Sequence, residues 1–85
     1  MPKPIKFTRH ALENMQKRGT TEAEVNRAIA EASWLPAKAG RFECIKDFTY
    51  NDFWNKKFYG TKQVIPVFRE ENDSIVVITV YVFYF

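Results

Sequence analysis

The chain has few of the residues from which disulfides and metal sites are built. Its 85 residues include a single cysteine, Cys44, and a single histidine, His10. One cysteine excludes a disulfide framework and is typical of a reducing setting such as the cytoplasm. One cysteine and one histidine are also too few for a site made of the ligands that zinc prefers. We therefore expect neither a metal nor another cofactor.

Long apolar segments are missing as well. The N-terminal residues Met-Pro-Lys-Pro-Ile-Lys lack the apolar run of a signal peptide. The longest apolar run, residues 75–85, is too short to span a bilayer as a helix and is rich in β-branched and aromatic residues. The sequence thus predicts a cytoplasmic protein with no membrane partner.

The residues that are present are typical of one small globular domain over residues 1–85. Hydrophobic residues make up 46% of the chain and aromatic residues 16%, which supplies large buried area without disulfides. The formal net charge is +3, and the basic residues gather near the N-terminus and around residues 56–62. This pattern fits an ordinary solvated surface, or a basic face that binds phosphates or an acidic protein.

Two helices are predicted in the first half of the chain. Thr8 can N-cap a helix over residues 9–18, and Gly19 suits the left-handed position that ends such a helix. Thr21 and Glu24 form a capping box that opens a second amphipathic helix, and Pro36 marks the expected end of that helix.

After Gly40 the apolar period changes to two, which predicts strands. The candidate strands are residues 42–50, 53–59, 62–70 and 74–85. Gly60 and Thr61 are expected to form a turn, and Pro66 favours an edge position or a bulge for its strand. We expect an α+β fold in which two N-terminal helices pack on one face of an antiparallel sheet of about four strands.

The first helix carries the most informative pattern. His10, Asn14 and Arg18 fall within about 80° of one another on its surface, and Lys17 lies beside them. A side chain that exchanges protons near neutral pH, next to fixed positive charge, suits a phosphate-directed site. Simpler interpretations are a capping or partly buried role for His10, and for Arg18 a favourable contact with the helix dipole.

The order and spacing of several motifs resemble a domain-of-unknown-function family of small bacterial proteins and toxin C-terminal domains. Its opening pattern H-A-x-x-x-M-x-x-R-G is matched by residues 10–19, and a following V-x-x-A by residues 25–28. A second block, with Y-G, an apolar strand, a polar turn and a T-V-Y strand, is matched within residues 59–81. The chain departs from the pattern at Asn14, where arginine is common, at Thr20, where isoleucine is common, and in its aromatic end.

This resemblance implies a RelE-like fold, shared with barnase-, EndoU- and colicin-type ribonucleases. It also implies a toxin-type domain that binds RNA and cleaves it by metal-independent transesterification. His10 would be the general acid or base, and Arg18 would clamp the phosphate. Thr79 and Tyr81, on one face of the last strand, would support the substrate, with Tyr81 stacking on a base. The further substrate-binding residues would be Lys17, Lys57 and Arg69.

One histidine cannot both accept the 2′-hydroxyl proton and protonate the leaving oxygen, so a second group is needed. Tyr81, Lys57 and Glu43 are the candidates, and the sequence does not choose among them. The alternative function is a non-catalytic module that binds protein or nucleic acid, which Asn14 and the modest net charge favour. As partners we expect RNA, an acidic antitoxin or immunity protein, and a second copy bound through the apolar last strand.

Overall fold

The computed structural model describes residues 3–85, which form one mixed sheet with both α-helices on one face. The elements in chain order are β1 (Ile5–Phe7), α1 (Arg9–Arg18), α2 (Glu22–Glu31), β2 (Leu35–Pro36), a short 3-10 helix (Lys38–Gly40), β3 (Phe42–Glu43), β4 (Lys46–Trp54), β5 (Lys57–Glu70) and β6 (Ile75–Tyr84). The strand order is β1-β6-β5-β3-β2, and β4 also pairs with β5. None of these helices is long and apolar enough to cross a membrane.

The sheet differs from the predicted one in strand number and in one strand direction. We expected a RelE-like antiparallel sheet of about four strands, but residues 3–85 form six, and β1 runs parallel to β6. The predicted strand over residues 42–50 is divided into β3 and the first part of β4. The strands that were not predicted, β1 and β2, are three and two residues long. Such short segments cannot display a period of two, so the pattern of apolar residues did not reveal them. The expected arrangement is therefore wrong, although the fold is α+β.

Local capping signals predicted the start of both helices and the end of α1 correctly, whereas α2 ends at Glu31 and not at Pro36, which lies in β2. α1 has the expected bounds, the Thr8 hydroxyl accepts a backbone N–H of its first turn, and Gly19 ends it with φ of 81°. α2 starts with the capping box, in which Thr21 and Glu24 each accept the other's backbone N–H. These bonds satisfy N–H groups that the first turn of a helix leaves unpaired.

The hairpin between β4 and β5 turns at Asn55 and Lys56, and not at Gly60 and Thr61 as expected. Both turn residues have positive φ, 51° and 70°, which is the conformation that tight two-residue hairpins favour. Gly60 and Thr61 instead continue β5, and Thr61 pairs with Thr49 of β4. The predicted strand over residues 53–59 is therefore wrong, because it crosses the true turn.

Pro66 lies in a central strand and not at an edge. β5 pairs with β6 on one side and with β3 and β4 on the other. From Phe42 to Thr49, β3 and β4 keep one register along β5 and are interrupted at residues 44–45, opposite Pro66. Proline has no N–H to donate, so the interruption falls where a ladder bond is missing. The Cys44 N–H still donates to the Pro66 carbonyl at 3.3 Å, and β3 and β4 thus act as one long strand with a gap.

The two faces of the sheet have different surroundings. The helices pack on one face, where the core residues are Ala11, Met15, Val25, Ala28, Ile29, Cys44, Val64, Phe68, Ile75, Val77 and Val80. The register of β5 and β6 shifts at Ile78, so that the odd-numbered residues from Thr79 onwards point to the opposite face. We call that opposite surface the open face. It includes Glu43, Ile65, Val67, Thr79, Tyr81 and Phe83.

The turn between α1 and α2 is tied to the sheet by a buried lysine. Lys62 Nζ donates to the Gly19 carbonyl at 2.9 Å and to the Glu24 carboxylate at 3.1 Å. The Trp54 and Tyr84 rings stack with their centroids 4.9 Å apart and lie against Gly19. Because a buried charge is costly unless it is paired and hydrogen-bonded, moving the turn away from Lys62 would lower stability.

The packing around Gly19 can be tested by comparing Gly19→Ala with Gly40→Ala, since both glycines have positive φ (81° and 72°). A Cβ at Gly19 would lie 2.6 Å from both the Trp54 ring and the Tyr84 hydroxyl oxygen, whereas a Cβ at Gly40 would meet nothing within 4 Å. We expect Gly40→Ala to lower the free energy of unfolding by about 1 kcal/mol, from backbone strain alone. Gly19→Ala should lower it by roughly 3 kcal/mol, because the collision adds to that strain. Urea unfolding of the two variants measures the difference, and equal losses would contradict the packing described.

The free energy of unfolding should decrease at alkaline pH because of the buried Cys44 thiol. Burial raises the pKa of the Cys44 thiol from 9.0 to about 11, with a smaller contribution from Glu43. The folded state therefore holds a proton that the unfolded chain releases first. Its contribution is complete below pH 9.0 and is lost as the pH rises to about 11. Urea titrations across this range should show a smaller decline in Cys44→Ala than in the wild type, and an unchanged decline would refute the assignment.

Candidate functional site

α1 lies along the part of β6 that β1 leaves unpaired. The Thr8 hydroxyl donates to the Ile78 carbonyl at 3.2 Å, and Arg18 Nη1 donates to the Val80 carbonyl at 2.7 Å. At the other end, the Tyr84 hydroxyl donates to the Arg18 carbonyl at 2.7 Å. The helix therefore runs in the same direction as β6, and one polar side of it borders the open face.

Three hydrogen-bonded side chains meet at this border. Asn14 Nδ2 donates to Thr79 Oγ1 at 2.7 Å and lies 3.1 Å from His10 Nε2. An amide nitrogen can only donate, so Nε2 is the acceptor and the neutral imidazole carries its proton on Nδ1. Asn14 is buried and His10 is exposed. The amide thus orients the imidazole from the inside and leaves its other nitrogen directed to solvent.

Arg18 and Tyr81 form a second contact beside this group. The guanidinium carbon of Arg18 lies 5.3 Å from the centre of the Tyr81 ring, within the range of a cation–π interaction. The bond to Val80 uses one of the five guanidinium N–H donors, and it is the one hydrogen bond of this side chain within residues 3–85. Arg18 is therefore held in place and still has donors for an anionic ligand.

A cavity of about 540 Å³ opens beside Tyr81 on the open face. Its lining residues are Pro36, Ala37, Lys38, Arg41, Glu43, Val67 and Tyr81. Glu43 pairs with Val67, and Val67 pairs with Thr79, so these three residues form one row across three strands. Neighbouring strands lie about 4.8 Å apart, and beyond Thr79 the row continues to Asn14 and His10. We call this the cross-strand row: a carboxylate is near one end, and an imidazole is at the other.

Four of the predicted site residues lie together in the structure. His10 and Thr79 are joined through Asn14, while Arg18 and Tyr81 are in direct contact. Lys17 is exposed on the same side of α1 as His10, about two helical turns further along.

The other two predicted residues are placed less favourably. Arg69 lies two residues beyond Val67 on β5, and its Nε is paired with the Glu71 carboxylate at 2.9 Å. Lys57 begins β5, roughly 30 Å from Val67 at about 3.3 Å per residue. Its ammonium lies 5.5 Å from the centre of the Tyr59 ring. The structure thus does not bring Lys57 to the site.

Two contributors to the site were not recognised from the sequence, and the role of a third was not assigned. The helical spacing placed Asn14 on one face with His10 and Arg18, but it did not show that Asn14 joins His10 to β6. Lys38 and Arg41 reach the cavity through the pairing of β3 with β5, for which the local sequence holds no signal.

The site is equipped for proton transfer and anion binding. It gathers an imidazole, a carboxylate, a phenol and guanidinium groups on one surface. Within residues 3–85, no group of three or more His, Cys, Asp or Glu residues is placed to hold a metal ion. Imidazole and carboxylate groups serve as general acids and bases, and guanidinium groups bind phosphate through paired N–H donors.

A comparison with protein families places the chain among its relatives. Residues 7–82 match the model described as "Domain of unknown function (DUF4258)". The chain belongs to this family. No curated protein and no solved structure gave a match. Every residue of the cavity and of the cross-strand row lies inside the DUF4258 match, so the site is part of the DUF4258 domain itself.

The tautomer of His10, the only histidine in the chain, reports on the role of Asn14 in this DUF4258 domain. For the neutral imidazole we expect nitrogen NMR shifts to report His10 with its proton on Nδ1, because Asn14 donates to Nε2. Asn14→Ala should move the population towards the Nε2-protonated form and lower the free energy of unfolding by about 1 kcal/mol. Gln16→Ala, at an exposed position of the same helix, is the control. A tautomer unaffected by Asn14→Ala would rule out the contact.

Proposed function

We propose that this domain binds RNA on the open face and cleaves it by transesterification. The observation that carries the proposal is the cross-strand row, which places an oriented imidazole and a carboxylate at opposite sides of a surface bordered by cations. The resemblance of the sequence motifs to toxin C-terminal domains supports the same function. Arg18 lies at one border of this surface, and Lys38 and Arg41 lie at the other.

The proposed reaction uses groups that the RNA and the site supply. The 2′-oxygen attacks the adjacent phosphorus while Glu43 accepts the 2′-hydroxyl proton. The bond from phosphorus to the 5′-oxygen breaks while His10 gives a proton to that oxygen. The products are a 2′,3′-cyclic phosphate and a 5′-hydroxyl end. Arg18 and Lys38 offset the charge that builds on the phosphoryl oxygens.

Glu43 is assigned as the base from its position. Of the three candidates for the second proton-transfer group, Lys57 lies far along β5, whereas Glu43 and Tyr81 both line the cavity. An in-line displacement has its entering and leaving oxygens on opposite sides of phosphorus. Glu43 lies across the row from His10, so we assign the entering 2′-oxygen to the Glu43 side and the leaving 5′-oxygen to the His10 side. Tyr81, already in contact with Arg18, is free to stack on a base.

Asn14 allows His10 to hold the proton that it donates. When both ring nitrogens are protonated, Nε2 no longer accepts a bond from the amide N–H. A half-turn of the Asn14 amide then presents its oxygen to Nε2–H. The Thr79 hydroxyl, which accepts from the amide in the present arrangement, can donate to the same oxygen. The three side chains therefore satisfy either protonation state without moving the backbone.

The same surface fits the proposed protein partners. Cations at both borders of the open face attract an acidic segment, as expected of an antitoxin or immunity protein that blocks access of RNA. The free edge of β6 beyond Val77 is covered by α1. A second copy of the chain would thus meet the exposed face of β6 and not its edge.

Cleavage of RNA by the purified protein in the presence of a metal chelator tests the catalytic assignment. We expect His10→Ala and Glu43→Gln each to lower the rate at saturating RNA by about 100-fold. Lys57→Ala should leave the rate unchanged, because Lys57 lies away from the site. RNA that is bound but never cut would identify the non-catalytic binding module in place of a ribonuclease.

A substrate with sulfur in place of the scissile 5′-oxygen separates the two roles, because a thiolate leaves without being protonated. His10→Ala should cleave this substrate at nearly the wild-type rate, whereas Glu43→Gln should stay slow. Rescue of Glu43→Gln and not of His10→Ala would exchange the two roles.

A further inference from the structure

Three aromatic side chains alternate on the open face, two at the end of β6 and one directly after it. Tyr81, Phe83 and Phe85 are 45%, 52% and 59% exposed. Phe85 is held in the sheet by two backbone bonds with Thr61, at 2.8 Å and 3.0 Å. None of the three belongs to the hydrophobic core of the described residues. We call them the aromatic stripe. Exposed aromatic rings on a rigid strand form a contiguous apolar patch, which marks a binding surface.

The spacing of the rings in the aromatic stripe favours single-stranded over double-stranded nucleic acid. Alternate residues of a strand are about 6.8 Å apart, which is about twice the rise of 3.4 Å per nucleotide in a duplex strand. A duplex also hides the faces of its bases inside the stack. Consecutive bases can therefore meet consecutive rings only in a single strand whose bases are unstacked.

The charges on either side of the stripe differ in sign. α1 runs beside β6, and its last turn carries Lys17 and Arg18. On the other side, Gln63 pairs with Phe83, and Asp47 pairs in turn with Gln63 and accepts a bond from its amide at 3.0 Å. Phosphates are attracted to the basic turn and repelled by the carboxylate. A bound strand would therefore run with its backbone along α1.

We propose that single-stranded RNA lies along β6, with three consecutive bases stacked on Tyr81, Phe83 and Phe85. The choice of RNA rests on the function proposed above, and the stripe extends it by naming the form of the substrate. Tyr81 belongs both to the stripe and to the catalytic cavity. The nucleotides on Phe83 and Phe85 anchor the strand along α1. From the nucleotide on Tyr81 onwards the strand crosses the cross-strand row, where the phosphate to be cut lies between Glu43 and His10.

Fluorescence anisotropy with a labelled 2′-O-methyl oligouridylate tests the stripe without cleavage, because this probe lacks the attacking hydroxyl. We expect wild-type protein to bind it more tightly than a blunt duplex of the same length. The double variant Phe83→Leu with Phe85→Leu keeps β6 apolar but removes two stacking surfaces, and it should weaken binding by about tenfold or more. The matched control is Phe53→Leu with Phe58→Leu, which removes two exposed rings from the distal hairpin and should leave binding unchanged.

Every other outcome contradicts the proposal that RNA binds to the aromatic stripe. Equal losses in the two double variants, no loss in either, or equal binding of the duplex would place the RNA elsewhere. Wild-type protein that ignores the probe, but self-associates in a manner abolished by the Phe83 and Phe85 changes, would assign the patch to a second copy of the chain. Cleavage of natural RNA is scored separately. Probe binding without cleavage would remove the catalytic proposal alone, and cleavage without stripe-dependent binding would remove the stripe alone.

Discussion

The structure depends on how α1 covers the edge of β6. β1 pairs with β6 only through Ile75–Val77, which leaves most of the longest apolar strand with an unpaired border. Side chains, and not a further strand, bind part of that border: Thr8 and Arg18 donate to the Ile78 and Val80 carbonyls, and Tyr84 donates back to α1. Open strand edges invite pairing with other chains. The helix lies against this edge and reduces that hazard, and in doing so it brings its polar side to the open face.

Features decided within one turn of chain were predictable. Thr8, Gly19 and the Thr21–Glu24 capping box act on neighbours three or four residues away, and the helices follow from them. Strand pairing is decided across the sheet, so the sequence pattern was less informative there. The hairpin turns at Asn55 and Lys56, which both have positive φ, and not at Gly60, the more obvious turn residue in the sequence. Pro66 was compatible with a central strand because the opposing chain breaks its ladder at that point.

For the candidate site too, the local features were predictable from the sequence and the long-range contacts were not. Helical periodicity placed His10 next to Arg18, and strand alternation placed Thr79 next to Tyr81, so each half of the cluster was visible locally. Their meeting depends on the docking of α1 against β6. The cations contributed by Lys38 and Arg41 depend on the register of a two-residue strand. Contacts between residues so distant along the chain leave no trace in the spacing of one sequence.

The parallel pairing of β1 with β6 has a consequence for the timing of synthesis. β1 is made first among the described elements and β6 last, yet β6 supplies the partner strand of β1 and the surface on which α1 docks. Contacts of such high sequence separation form late in folding. A nascent chain that stops before β6 can contain two capped helices and a hairpin, but it has no Thr79 for Asn14 and no Tyr81 for Arg18. The cluster therefore assembles after translation has passed the last strand, and a prematurely terminated chain lacks it altogether.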